Sequence, residues 1–345
     1  MKKTITLILI FVSTSIFAQE IFENEKPISN IDQYNVETIQ IETFDYFQSP
    51  ATKEPIIIKG TLITPKNEYK KVLVIVSGTG EISQNAHNYL TESLLENNIG
   101  VFRFDKKGIG MSSGNQNELP QPYIDNVKDI ADTLKNNVLL STKMIGVLGH
   151  SLGGIATIGA IDKGAGFDFL IQWSAPIGKP RDIIAYQMKN GITNYNDNIV
   201  GKNVEERIQI LKFVHQVIDQ NIELETWDIW HATLSEKGKK GFKRKQFKNY
   251  VTHSFVELAK IDNTQEYKNL KIPTLVIIGA NDILVDPIET NKSLKEIDNP
   301  KIKFKKFEYL NHFLTKKGTE EKSNSIYDID TDAKNYIIKW IMSVK

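Results

Sequence analysis

Five short, uninterrupted apolar runs constrain this chain more than any other feature: KVLVIVSG (71–78), IGVFRFD (99–105), KMIGVLG (143–149), DFLIQWSAP (168–176) and PTLVIIG (273–279). A strand with one wet face alternates apolar and polar residues. A run that is apolar throughout suits a strand covered on both faces, as in a parallel sheet between layers of helices. Helical spacing fills the intervals, with Ile124, Val127, Ile130 and Leu134 before the third run and Ala333, Ile337, Trp340 and Ile341 near the C-terminus. The chain opens differently. Ile39, Ile41 and Thr43 alternate with Gln40 and Glu42, and PIIIKGTLITP (55–65) reads as a hairpin partner ended by Pro65. The expected fold is α/β, a mostly parallel sheet with helices on both faces, preceded by an antiparallel pair.

One interval breaks the alternation. Between Gly178 and Asn269 no strand pattern occurs; Val204, Ile208, Leu211, Val214 and Ile218 form a helical stripe, followed by ETWDIWHATL and the basic stretch 237–248. A helical insertion of this length between two core strands predicts a cap over the C-terminal edge of the sheet, where open α/β sheets bind ligands. Its aromatic residues Trp227, Trp230 and Phe213 are candidates for lining a substrate pocket. The expected organisation is a core in two parts, 36–178 and 269–345, around a cap at 179–268, after a polar segment at 19–35.

Residues 1–18 have the pattern of a secretory signal: Lys2 and Lys3, an apolar run from Ile5 to Val12, then STSIFA before Gln19. Cleavage is expected near Ala18, with Ile16 a large residue for the −3 position, and the mature chain is expected in the periplasm or outside the cell. The apolar run is far shorter than the roughly 20 residues of a membrane span, so no stable membrane anchor is expected. The chain has no cysteine, which excludes disulfides, a thiol nucleophile and cysteine-ligated metal. Its formal net charge of +1 gives no global field for nucleic acid.

The chemistry centres on GHSLGG (149–154), which follows the third apolar run and opens a small-residue helical pattern. A serine between Gly149 and Gly153 at a strand-to-helix turn can hold its hydroxyl clear of the fold, because the glycines remove the side chains that would clash with the turn. Ser151 is therefore the candidate nucleophile. A hydroxyl needs a base, and the base needs an orienting acid. In this strand order the acid and histidine should follow later strands, and both do: Asp282 lies just past the 273–279 run, and His312 lies in the loop after KFKKF. Asp286 is a rival acid but precedes Pro287, farther from the strand end. His150 adjoins the nucleophile, yet in such a turn its side chain points away from the hydroxyl. His215, His231 and His253 fall in the insertion, and His87 follows the first run. An oxyanion needs two backbone N–H donors. Leu152 and Thr79, the latter in the glycine-rich SGTG (77–80), are the candidates.

In GTLITP, VSGTG, GVFRFDKKGIGMSSG, IGVLGHSLGG, GANDILVDP and LNHF the chain resembles the α/β-hydrolase superfamily over nearly everything after residue 18. Within it, the chain is similar to exported bacterial serine hydrolases of the serine aminopeptidase-like and acyl-esterase-like group. The resemblance implies an acyl-enzyme mechanism with Ser151, Asp282 and His312 as triad and no metal or organic cofactor. Many such relatives carry an Asp-Arg pair after the oxyanion glycines, where this chain has EISQ (81–84). The first expectation for substrate is a small to medium carboxylic ester. The alternatives are an aminopeptidase-like amidase, with Glu205 and Glu206 as candidates to hold an amine, and a non-catalytic binding protein on the same scaffold. The oligomeric state is left open.

Overall fold

A computed structural model describes residues 27–47, 52–117, 119–192, 203–241, 243–316 and 328–345. The signal sequence expected at 1–18 lies outside the described residues. An antiparallel hairpin of β1 (Tyr34–Phe47) and β2 (Thr52–Pro65) leads into β3 (Lys71–Val76), α1 (Asn88–Glu96), β4 (Ile99–Phe104) and α2 (Pro120–Lys135). Then follow β5 (Met144–His150), α3 (Leu152–Asp162) and β6 (Phe169–Trp173). Among the described residues, five α-helices, α4 (Asp182–Lys189), α5 (Val204–Gln220), α6 (Thr226–Lys240), α7 (His253–Lys260) and α8 (Thr264–Asn269), separate β6 from β7 (Thr274–Gly279). The chain finishes with α9 (Pro287–Ile297), β8 (Ile302–Phe307) and α10 (Thr331–Ser343).

The strands form one eight-stranded sheet in the order β1-β2-β4-β3-β5-β6-β7-β8, parallel from β4 to β8. This is the mostly parallel sheet expected from the apolar runs. All residues of β4, β6 and β7 are buried, as two-sided coverage requires. One face packs on α2 and α3 through Val127, Ile130, Leu134 and Ile158; the other packs on α1 and α10 through Leu90, Leu94, Ile337 and Ile341. The chain moves from β3 to β4 in one direction and returns to place β5 on the other side of β3. The loops after β3 and β5 therefore diverge above adjacent strands, and the crevice between them is where such sheets bind ligands.

The helices between β6 and β7 have their own apolar cluster, including Ile184, Ile208, Leu211, Phe213, Val214, Phe255 and Ala259. Tyr267 and Leu270 pack instead with the sheet's core, so by packing α8 goes with the sheet. Among the described residues, no helix is long and apolar enough to cross a membrane.

The hairpin is tied to the sheet by a buried ion pair. Lys107 Nζ donates to Asp45 Oδ1, with Lys107 5 % and Asp45 1 % exposed. Asp45 Oδ2 also accepts the Asn115 N–H at 3.2 Å. Burial pushes the Lys107 ammonium down, and the Asp45 carboxylate opposes that shift. Removing one member of such a pair strands the other in a poorly solvated site. Asp45→Ala should lower unfolding free energy by about 3 kcal/mol or more in urea titration, and the Asp45→Leu/Lys107→Met double substitution should recover most of it.

Candidate functional site

Ser151 sits between the last residue of β5 and the first of α3 with φ 53° and ψ −119°, a left-side backbone conformation that an L-residue adopts only under constraint. Its N–H donates to Trp173 O at 2.9 Å, and its carbonyl accepts from Gly154 N at 2.9 Å. The turn is this tight because its neighbours have no side chains. A Cβ on Gly153 would lie 2.3 Å from Val76 O and 2.6 Å from Ser77 O; one on Gly149 would lie 2.5 Å from Thr157 Oγ1. Helix α3 thus rests directly on the backbone at the end of β3.

Asp282 follows β7 and is 1 % exposed. Its Oδ1 accepts the N–H groups of Leu284 and Val285, both at 2.8 Å, which leaves Oδ2 facing His312 Nδ1 at 2.9 Å. His312 is carried by a loop after β8 that folds around Asn311. Asn311 Oδ1 accepts from Phe313 N, Thr315 N and Thr315 Oγ1, while Asn281 N donates to Leu310 O at 2.9 Å. Trp173 Nε1 donates to the His312 carbonyl at 3.1 Å, pinning that loop to β6. The structure therefore brings Asp282 and His312 into direct contact. The Ser151 hydroxyl makes no hydrogen bond with any described residue; such contacts commonly tighten only when substrate is bound.

The loop after β3 passes close to the serine: a Cβ on Gly78 would meet Ser151 Cβ at 3.0 Å. Thr79, Leu152 and Ser151 border one cavity of about 300 Å³. Neither the Thr79 nor the Leu152 N–H donates to a described acceptor, so both remain available to an oxygen in that space. The remaining wall is mainly aliphatic: Ile155, Ile183, Ile184, Leu258, Leu284, Val285 and Pro176, with Gln187 and Ser254 as its other polar residues.

Trp227, Trp230 and Phe213 do not line this cavity. Trp227 is 68 % exposed and meets His231 edge-on; Trp230 lies under the Arg244 guanidinium and against Phe247; Phe213 is buried inside the helical cluster. Phe213 and Trp230 instead pack the helices against one another, while Trp227 faces outward. The insertion contributes to the lining from α4 and α7, helices of 8 residues each and so little more than two turns long. The rivals of the acid and base are placed elsewhere too. Asp286 caps α9 through Ile288 N and Glu289 N, His215 stacks on Phe255, and His253 Nδ1 meets Thr226 Oγ1 at 2.9 Å.

His87, a histidine outside the expected triad, is buried and reaches His312 through His150. His87 Nε2 and His150 Nδ1 are 3.2 Å apart, and the His150 ring lies between Trp173 and His312, with centroids 4.8 and 5.1 Å away. Burial, aided by Arg103, pushes the His87 imidazole down to about 4. Burial, with His312 and His87 adding to it, pushes His150 well below the usual range. Both rings are thus neutral at ordinary pH, a polarisable but uncharged wall behind His312. Among the described residues no group of three or more histidines and carboxylates is placed to hold a metal.

Residues 67–317 match the model of a family described as serine aminopeptidase, S33. Among curated proteins, an uncharacterised Salmonella typhimurium protein, YfhR, is 29% identical over 97 residues, which cover 28% of this chain and 32% of that protein. The chain thus spans about a third of the length of that relative. Among solved structures, the Pyrococcus furiosus esterase Pf2001 superposes with a TM-score of 0.58 at 17% identity, over 91% of this chain and 92% of that one. Est1E from Butyrivibrio proteoclasticus, solved with ferulic acid bound, gives 0.52 at 18% identity over 83% and 94%. At these identities the two structures show a shared fold.

Two outcomes follow from this geometry. Gly153→Ala must push α3 off β3, and should cost about 2 kcal/mol or more in denaturant unfolding together with nearly all activity. The buried histidine gives a pH dependence of stability. Unfolded His87 binds a proton near 6.5 and folded His87 only near 4, so the unfolded chain holds more protons across that window. Stability should fall as pH drops from about 6.5 toward 4, with His87 contributing up to about 1.4 kcal/mol per pH unit; His87→Asn should flatten the slope in pH-dependent urea titrations.

Proposed function

The chain belongs to the serine aminopeptidase S33 family, within the α/β-hydrolase superfamily, and we propose that it hydrolyses carboxylic esters of small to medium, uncharged acyl groups through Ser151, His312 and Asp282. The observation that carries this reading is the cavity at Ser151. Its described wall is aliphatic on most sides and has no charged side chain, a lining that favours an acyl chain over a charged group.

The proposed reaction runs in two halves. His312 Nε2 takes the Ser151 proton as Oγ attacks the ester carbonyl carbon. The carbonyl oxygen becomes negative and is held by the Thr79 and Leu152 N–H groups. The imidazolium, stabilised by the Asp282 carboxylate 2.9 Å from Nδ1, then protonates the departing alkoxide, and the alcohol leaves. Water attacks the acyl-enzyme, His312 accepts its proton, and collapse of the second tetrahedral intermediate releases the acid and restores Ser151. The Leu284 and Val285 N–H groups hold Oδ1, which keeps Oδ2 turned toward the imidazole.

The second reading, an aminopeptidase-like amidase, draws on the family description. It needs a carboxylate near the acyl subsite to hold a substrate amine. Glu205 and Glu206, the candidates for that task, sit in the first turn of α5 and are not among the residues bordering the cavity. The signal pattern of residues 1–18 supports export, to the periplasm or beyond, with cleavage near Ala18.

A fluorophosphonate probe should label the purified protein, and Ser151→Ala should abolish the labelling. Asp282→Asn should reduce kcat on the order of 10⁴-fold while leaving KM nearly unchanged. Across p-nitrophenyl esters, kcat/KM should rise with acyl length and then fall once the chain outgrows the cavity. Higher kcat/KM on an aminoacyl p-nitroanilide than on the matched ester would establish the amidase reading instead.

A further inference from the structure

We propose that Lys106 is a positioning residue for the oxyanion site, holding the peptide plane that carries the Thr79 N–H, with Tyr123 as its brace; the inference rests on the hydrolase reading above. Lys106 follows β4 in the sequence FDKKG and is only 8 % exposed. Its Nζ donates to Gly78 O at 2.7 Å and to Gly80 O at 2.7 Å, the carbonyls on either side of Thr79. Tyr123, on α2, donates its hydroxyl to Ser77 O at 2.8 Å, and its ring centroid lies 6.0 Å from Lys106 Nζ.

The consequence follows from the planarity of the peptide bond. The Gly78 carbonyl and the Thr79 N–H belong to one trans peptide unit and point in opposite directions. Fixing Gly78 O on Lys106 therefore fixes the Thr79 N–H away from Lys106. Gly78 itself lies against Ser151, where a Cβ would come within 3.0 Å of Ser151 Cβ, so the oriented plane is the one beside the nucleophile. The second bond, to Gly80 O, holds the carbonyl on the far side of Thr79 as well. The segment needs this restraint. Thr79 is exposed, and Gly80 has φ 102° with nothing within 4 Å of where a Cβ would stand.

The ammonium also acts through the bond it restrains. A cation donating to an amide carbonyl polarises that amide and makes its N–H a stronger donor, and the effect is larger out of water. Lys106 thus strengthens Thr79 toward an oxygen that becomes negative only during reaction, while a neutral ground-state carbonyl gains little. The adjacent Asp105 extends the same turn: Oδ1 accepts Gln84 N at 2.8 Å, and Oδ2 accepts Gln84 Nε2 and Met111 N, each at 3.0 Å. One turn after β4 therefore grips the loop after β3 at two separate points.

The test compares wild type, Lys106→Met and Tyr123→Phe on a p-nitrophenyl ester that wild type hydrolyses. It also measures Ki for a trifluoromethyl ketone with the same acyl group, whose serine adduct carries a tetrahedral oxyanion. Thermal midpoints are recorded for all three. Losing an oxyanion donor outright costs about 10²–10³ in kcat, so a donor left misaligned by Lys106→Met should cost about 10–100-fold, with KM within about threefold. Ki should rise by the same factor as kcat/KM falls, and Tyr123→Phe should show a few-fold version of both changes. A folded Lys106→Met with wild-type kcat, or a loss confined to KM with Ki unchanged, overturns the inference. If Lys106→Met does not fold, Tyr123→Phe decides: unchanged kcat and Ki reject the brace and the proposal with it. Wild-type turnover that disappears in Ser151→Ala secures the hydrolase reading independently, so a failure of the clamp is separable from a failure of that reading.

Discussion

The structure around the site depends on one close approach, the contact between the start of α3 and the end of β3. Gly153 lets the helix lie against the carbonyls of Val76 and Ser77, where a methyl group would come within 2.3 Å of Val76 O. That contact does two things at once. It forces Ser151 into its positive-φ turn, and it sets the first N–H of α3 beside the loop that leaves β3. Because β3 and β5 are neighbours while their loops diverge, Ser151 and the loop after β3 meet in one crevice. A side chain at residue 153 would separate them, however good the rest of the core.

A second constraint is the handling of buried polarity. Asp282 is nearly inaccessible, and its carboxylate is satisfied by two backbone N–H groups and the His312 ring. Lys106 and Lys107 are adjacent in sequence and both buried, but they hold different elements. One meets carbonyls of the β3 loop, and the other meets Asp45 of the hairpin. Histidines 87 and 150 take the opposite course, since burial keeps them uncharged. The two rings behind His312 therefore add no charge of their own, and the Asp282 carboxylate is in direct contact with that ring.

The helices between β6 and β7 supply a surface more than a mechanism. Their large aromatic residues are spent on internal cohesion: Phe213 and Phe255 inside, Trp230 beneath Arg244. What they present to the Ser151 cavity is Ile183, Ile184 and Gln187 from α4 and Ser254 and Leu258 from α7. Branched aliphatic walls define a volume and exclude water without specifying orientation. This fits a proposed preference set by acyl size, with the chemistry confined to the sheet edge.

The sequence by itself determined the sheet, the turn at Ser151 and the order of the candidate acid and base. Those features are local: a two-faced buried strand must be apolar throughout, and a tight strand-to-helix turn must be glycine-flanked. The apolar runs at 71–78, 99–105, 143–149, 168–176 and 273–279 each became a strand of the parallel sheet. Only the tertiary structure decided which apolar residues reach the cavity. A helical stripe shows that a face is buried but not what buries it, so Trp227, Trp230 and Phe213 were legible as apolar and not as remote. The same holds for His87, whose place beside His150 comes from a fold-back across 63 residues. Lys106 is the clearest case. In sequence it is one lysine in a basic pair, and its two carbonyl partners exist only because β4 lies beside β3. Hydrogen bonds to backbone leave no trace in side-chain pattern, because any residue can offer the carbonyl.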